Sequence, residues 1–283
     1  MYLEFFGLKA KPFGKTPDPE MFFVSRRHEE ALARMEQAVE DRELLLLTGE
    51  IGSGKTTLSR ALIDRLPEQF KPCLIINPIL SPNQLLRTVA RRLGADAPKY
   101  FKSDLVEQVF ELLFKHYQDE ICPVLIIDEA HLIPSREAFE EIRLLTNCQL
   151  DKENLLSVIL IGQPELIPRL QHPVYEALRQ RIGIKYHLAS LLSEEIPEYL
   201  EFRLQKAGRD KNLFTAEAVE LIAIHSRGIP RRINNIASNA LIEGFAREAR
   251  VIGPRIIEDV IKDLGLEVES EKKEKKTAMR KAG

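Results

Sequence analysis

Gly49, Gly52 and Gly54, then Lys55 and Thr56, stand in the spacing G-x-x-x-x-G-K-[ST], and two adjacent acids, Asp128 and Glu129, follow an apolar run further along the chain. Those residue types suit the handling of a triphosphate and its metal ion. Glycines lack a Cβ, so they let the backbone take positive φ and come close to a ligand. The amides of such a loop, opening a helix whose dipole favours negative charge, point at phosphate oxygens. Lys55 would reach the β- and γ-phosphates, and the Thr56 hydroxyl would hold Mg2+. Asp128 would hold the same ion through water, while Glu129 polarises the attacking water as general base. Gly49, Glu50, Ile51, Gly52, Ser53, Gly54, Lys55, Thr56 and Thr57 form the expected nucleotide-binding segment, with ATP and Mg2+ as the expected ligands.

A loop of this kind needs a strand before it and a helix after it. Leu44, Leu45, Leu46 and Leu47 supply the strand: the run is too short to span a membrane and reads as a strand buried on both faces. After the loop, Leu58, Leu62, Ile63 and Leu66 recur at helical spacing. Further buried strands are predicted over residues 71–78, 123–131, 155–161 and 183–188. Between them lie helices that start at Ser81-Pro82 (with Gly94 as the stop), at Ser103-Asp104 and at Ser135. Strands alternating with helices imply an α/β fold with a five-stranded parallel sheet covered on both sides. Ligands of open α/β sheets bind beyond the carboxyl ends of the strands, where the glycine loop and Asp128-Glu129 both emerge. Asn77, closing the second strand, either hydrogen-bonds Glu129 and tunes it, or serves the turn before Pro78. His131 reads as a structural neighbour of the acids.

The flanks differ from this core. Residues 1–24 are rich in Phe and Pro, with turn signals at Pro12, Gly14 and Pro17-Asp18-Pro19, and so many aromatics are expected to pack on the core. An amphipathic helix over 28–40 presents Leu32, Met35 and Val39 on one face. From about residue 190 the pattern is helical only, with starts near Ser193, Thr215, Pro230 and Pro254. Phe214 and Val219 are placed to staple the Thr215 cap, and Gly208 and Gly228 to end helices. Pro197 interrupts the first of these helices near its start. The expected organisation is an aromatic N-terminal segment (1–27), an α/β ATPase domain (28–190), a small helical lid (191–266) and a charged, disordered tail (267–283).

Composition sets further bounds. The chain has 283 residues, 44% hydrophobic and 30% charged, enough for one large domain and a small one. No apolar run approaches the roughly 20 residues of a membrane helix, and the N-terminus does not read as a signal peptide. Cys73, Cys122 and Cys148 are odd in number and widely spaced, which argues for small buried thiols in a cytoplasmic protein. No His, Cys and Asp set has metal-site spacing, and nothing resembles a Ser/His/Asp triad. A net charge of −2 gives no global pull toward nucleic acid.

The loop, the acids, the pair Arg179 and Arg181 ahead of the fifth strand, and Gly228-Ile229-Pro230-Arg231 together resemble AAA+ ATPases. More closely, Phe5-Phe6-Gly7-Leu8, Lys11-Pro12-Phe13, Thr16-Pro17-Asp18-Pro19, Gly162-Gln163-Pro164-Glu165-Leu166 and Gly228-Ile229-Pro230-Arg231-Arg232-Ile233-Asn234 are similar to the ExeA (GspA) family of secretion-associated ATPases. The resemblance covers residues 1 to about 265. It implies that Arg231 is the second sensor arginine, reaching from the lid to the γ-phosphate. Gln163 would be the first sensor, and Arg181, with Arg179 as second choice, the finger that enters a neighbouring subunit's site. A guanidinium there stabilises charge on the transferred phosphoryl group. Without the resemblance, Arg179 and Arg181 read as a solvated basic face. The segment from Pro12 to Asp18 would close over the adenine with Ile229 and Pro230. Longer family members continue through a membrane helix into a periplasmic wall-binding domain, and neither is expected within these 283 residues.

Two functions of different kinds follow. One is an oligomeric ATPase whose nucleotide state governs assembly with an unidentified protein partner in an envelope secretion, pilus or polysaccharide-export system. The other is a DNA-associated regulator of the transposition type, for which Arg87, Arg91, Arg92, Arg232, Arg247 and Arg250 are the basic candidates. Arg87 and Arg91 share a helix face, although a solvated surface explains them equally well, so DNA is not the favoured partner. A non-hydrolysing nucleotide switch is a third reading, and Glu129 argues against it.

Overall fold

The computed structural model describes residues 1–14, 19–150 and 153–267. The chain divides into two compact units: an α/β unit (Arg26–Ile51 and Lys55–Ala189), and a helical unit that takes Met1–Ser25, the loop tip Gly52–Gly54 and the chain from Ser190 onward.

The α/β unit is built on five parallel strands, β1 (Leu44–Gly49), β2 (Phe70–Ile75), β3 (Cys122–Ile127), β4 (Ser157–Gly162) and β5 (Ile182–Leu188), in the order β2-β3-β4-β1-β5. β1 pairs with β4 from Leu44 opposite Val158 to Thr48 opposite Gly162, and β3 pairs with β4 from Val124 opposite Ser157. Every residue of β1, β3 and β4 is buried, as apolar runs covered on both faces require. The helices are α1 (Arg26–Glu40), α2 (Lys55–Arg65), α3 (Pro82–Leu93), α4 (Lys102–Gln118), α5 (Arg136–Leu145), α6 (Leu166–Gln171) and α7 (Glu176–Arg181). α1 buries Leu32, Met35 and Val39. Ser81 and Ser135 cap α3 and α5, accepting from the amides of Gln84 and Ala138, and Gly94 closes α3 in the left-handed conformation.

Several boundaries differ from expectation. α4 begins one residue early: Phe101 stands at its N-cap without a side-chain cap, and Ser103 bonds Asp104 instead of a backbone amide. β2 ends at Ile75, ahead of Asn77. β3 ends at Ile127 because Glu129 takes φ 54° and ψ 38°, a left-handed conformation that no strand continues through; Ala130–Leu132 then form a 3-10 turn.

The helical unit consists of α8 (Glu195–Lys206), α9 (Ala216–Ser226), α10 (Pro230–Ala246) and α11 (Pro254–Asp263), with a short helical segment, Tyr2–Phe6. Thr215 caps α9, accepting from the Ala218 amide. α8 starts at Glu195, not Ser193, and Pro197 is its third residue, where a missing N–H costs nothing because first-turn amides have no intrahelical acceptor. Phe6, Leu8, Phe13 and Met21 of the aromatic N-terminal segment are buried in the helical unit's own hydrophobic cluster, with Leu200, Phe214 and Leu241. The buried Arg203 guanidinium ties the segment down, donating to the carbonyls of Pro12 (2.6 Å) and Met21 (2.9 Å). Thr16, Pro17 and Asp18, and the tail from residue 268, lie outside the described residues.

Candidate nucleotide site

β1 delivers the chain into the glycine loop, and α2 takes it up at Lys55. Gly52 (φ 83°) and Gly54 (φ 102°) are in the left-handed region that favours glycine, whereas Gly49 ends β1 with no such requirement. Lys55 is buried, and its ammonium donates to the carbonyls of Gly49 (2.7 Å) and Glu50 (2.9 Å). Burial pulls its pKa below the ordinary lysine value, and the charges of Glu129, Asp128, Glu50 and Glu165 oppose that pull. Within the helical unit, which includes Gly52, the Arg231 amide donates to the Gly52 carbonyl (3.3 Å).

Next to Lys55, the Thr56 hydroxyl donates to Asp128 Oδ2 at 2.7 Å. Asp128 is buried at the end of β3; its own amide donates to the Ile75 carbonyl and its Oδ1 accepts from the Glu129 amide (2.8 Å each). Both carboxylate oxygens are therefore aimed by the fold. Glu129 is the partly exposed member of the pair, on a backbone whose left-handed φ costs roughly 1–3 kcal/mol in a residue with a side chain. Such strain persists only where surrounding structure holds it.

Asn77 and Glu129 share no hydrogen bond: Asn77 Oδ1 accepts from the Ile79 amide (3.4 Å), which is the turn reading of that residue. The Gln163 amide, just past β4, donates to His131 Nδ1 (3.4 Å), which stands 3.3 Å from Glu129 Oε2. Arg169, from α6, donates to the His131 carbonyl (3.0 Å) with its guanidinium 4.9 Å from the Phe139 ring centre. Nothing in the sequence marked Arg169 or Glu165 as neighbours of the acids, because β4 and α6 meet the 128–131 segment only in three dimensions.

The two arginines ahead of β5 differ. Arg179 donates to the Gln171 carbonyl (3.0 Å). Arg181 ends α7, is exposed, and makes no hydrogen bond or ion pair among the described residues. Arg231 is also exposed, in the first turn of α10 behind Pro230. No group of three or more His, Cys, Asp or Glu among the described residues is placed to hold a metal ion by itself, and Cys73 and Cys122 are buried free thiols.

The AAA domain family matches residues 36–170, from α1 into α6. General secretion pathway protein A of Aeromonas hydrophila is 40% identical over 258 residues, which is 89% of this chain and 46% of that protein. The chain is similar to AAA ATPases of the ExeA/GspA type. It spans about half the length of that relative. The fold agrees. The Aeropyrum pernix ORC2 protein superposes with a TM-score of 0.65 at 18% identity over 90% of this chain and 71% of its own. The Pyrobaculum aerophilum Cdc6 protein gives 0.65 at 16% identity, over 89% and 70%. The chain thus shares the α/β fold of these proteins, with the glycine loop and both acids following β1 and β3. No helix of the described residues is long and apolar enough to cross a membrane.

Proposed function

We propose that this chain is an ExeA/GspA-type ATPase that binds and hydrolyses Mg-ATP as a homo-oligomer on the cytoplasmic side of an envelope secretion system, coupling nucleotide state to assembly with a protein partner. The hydrogen bond between Thr56 and Asp128 carries the reading, because it brings a loop hydroxyl and an acid together beside a buried lysine. The name of the Aeromonas relative supports the secretion process.

Two hard oxygen donors side by side, one on a carboxylate, suit Mg2+, which prefers oxygen ligands and keeps several waters. Thr56 and Asp128 are the residues that would hold it, and the ion when bound neutralises charge on the phosphates. The chain's own groups do the rest. Loop amides and Lys55 bind the phosphates, Lys55 exchanging its contacts with the Gly49 and Glu50 carbonyls for phosphate oxygens. Glu129 orients the attacking water and takes its proton. Gln163 and Arg231 act as sensors, with Pro230 beside the nucleotide, and Arg181 acts on a neighbouring subunit's site. The exposed guanidinium of Arg181, without a partner among the described residues, against the engaged one of Arg179, supports that choice.

The DNA-regulator reading loses ground. Of its basic candidates, Arg247 is paired with Glu243 and Asp259, Arg250 donates to the Phe5 carbonyl over the Phe5 ring, and Arg87 is bound to the carbonyls of Lys99 and Tyr100.

The test is ATPase rate per subunit against protein concentration, with and without double-stranded DNA, at low and moderate salt. Lys55→Ala and Glu129→Gln accompany the unsubstituted chain. Expected are a rate that rises with concentration and ignores DNA, no ATP binding by Lys55→Ala, and binding without turnover by Glu129→Gln. Tight ATP binding by Lys55→Ala would overturn the site, and strong salt-sensitive stimulation by DNA would favour the regulator.

A further inference from the structure

One oxygen of Glu129 is without a protein partner. It is Oε2, which is buried although the side chain as a whole is 36% exposed. A carboxylate oxygen out of contact with water ordinarily finds a donor. The nearest nitrogen is His131 Nδ1 at 3.3 Å, and that atom already accepts from the Gln163 amide at 3.4 Å. One ring nitrogen cannot accept from Gln163 and donate to Glu129 at the same time.

The rest of the ring's surroundings hold it in place. The His131 side chain is 6% exposed, and Nε2 lies 3.9 Å from Glu165 Oε1, just ahead of α6. The His131 carbonyl is gripped by Arg169, whose guanidinium is seated over Phe139 and Tyr175. The imidazole is therefore fixed between the segment bearing the base and the segment bearing Gln163, with contacts to both through a single atom.

We infer that His131 is a positioning residue for Glu129, in which Nδ1 either accepts from the Gln163 amide, leaving Glu129 to act on water, or donates to Glu129 Oε2 and holds the base back. With the ring proton on Nε2 the first arrangement holds; with it on Nδ1 the second does. The residue thus couples the strand after which Gln163 lies to the readiness of the base. This inference rests on the reading of Glu129 as general base.

Steady-state ATPase of the full chain, resolved into kcat and KM, tests it in four variants: His131→Asn, His131→Gln, His131→Ala and Glu129→Gln. Asparagine sets an amide where Nδ1 stands, whereas glutamine reaches toward Nε2. Expected are a kcat higher by about tenfold in His131→Ala and His131→Gln, which cannot hold the base back, with KM within about twofold, and a kcat close to that of the unsubstituted chain in His131→Asn; a lower kcat in the alanine variant overturns the holding role. Binding of a fluorescent ATP analogue and the thermal midpoint, unchanged in all three His131 variants, separate this result from misfolding. Equal kcat in the alanine and asparagine variants, or a change confined to KM, overturns the role of His131 while Glu129→Gln still abolishes turnover. Turnover retained by Glu129→Gln instead overturns the base assignment, and this inference with it.

Discussion

Thr56 Oγ1 lies 2.7 Å from Asp128 Oδ2, so the loop after β1 and the acid after β3 are joined side chain to side chain. The hydroxyl is needed, not the methyl group. Thr56→Ser is therefore expected to keep ATPase activity within a few-fold, whereas Thr56→Ala lowers kcat by roughly a hundredfold and raises the Mg2+ concentration needed for half-maximal rate. Titrating Mg2+ against ATPase rate in both variants checks this; equal loss in the two would mean that the methyl group matters.

Arg181 is exposed and has no hydrogen-bond or ion-pair partner among the described residues, which suits action on a second subunit. Arg181→Ala is expected to lower turnover by about a thousandfold with ATP binding intact. Mixing it with Glu129→Gln subunits restores part of the rate, since some interfaces then combine an intact Glu129 with an intact Arg181. Arg179→Ala, which loses only a contact to the Gln171 carbonyl, keeps most of the rate. Absence of recovery on mixing would argue against action in trans.

Burial pushes the Cys73 thiol up to about 11, against the lowering pull of Lys71 and Arg92. Alkylation requires the thiolate. At pH 8, iodoacetamide is expected to modify Cys73 in the folded chain at least roughly two orders of magnitude more slowly than in denaturant. Peptide mass spectrometry over a time course reads this, and rapid native labelling would show that β2 opens readily.

Gly228 stands at φ 69°, its carbonyl accepts from the Leu191 amide at 2.9 Å, and a Cβ there would collide with the Leu191 carbonyl oxygen. Gly228→Ala is expected to destabilise the helical unit by about 3 kcal/mol or more, from left-handed strain and backbone overlap together. Differential scanning calorimetry should show the midpoint falling by several degrees. An unchanged midpoint would mean that the 228–230 turn relaxes at little cost.

Much of the candidate site could be read from residue order because it is local. Lys55 and Thr56 are placed by the loop they belong to, and Asp128 and Glu129 by the apolar strand they end. The three inner strands β1, β3 and β4 were visible as apolar runs because they are buried on both faces, whereas the edge strands β2 and β5 are partly exposed. Boundaries were less legible where one residue's conformation overrides propensity, as the left-handed Glu129 does at the end of β3. The destination of the N-terminal aromatics was illegible too, since Phe6 and Phe13 would satisfy the hydrophobic effect against any apolar surface.

Residue order was enough to specify a glycine loop between a strand and a helix, a pair of acids after a strand, a parallel α/β sheet and a run of helices beyond it. Motif spacing and hydrophobic period are properties of neighbours along the chain, and no long-range contact is needed to express them. Tertiary structure alone decided that Asn77 serves its own turn while His131 stands against Glu129, that Arg179 is engaged and, among the described residues, Arg181 is not, and that Arg169 holds the His131 backbone. Those relationships join β3, β4, α6 and α7 across dozens of intervening residues. They depend on strand order and on distances of a few ångströms, which residue order alone does not encode in any readable pattern.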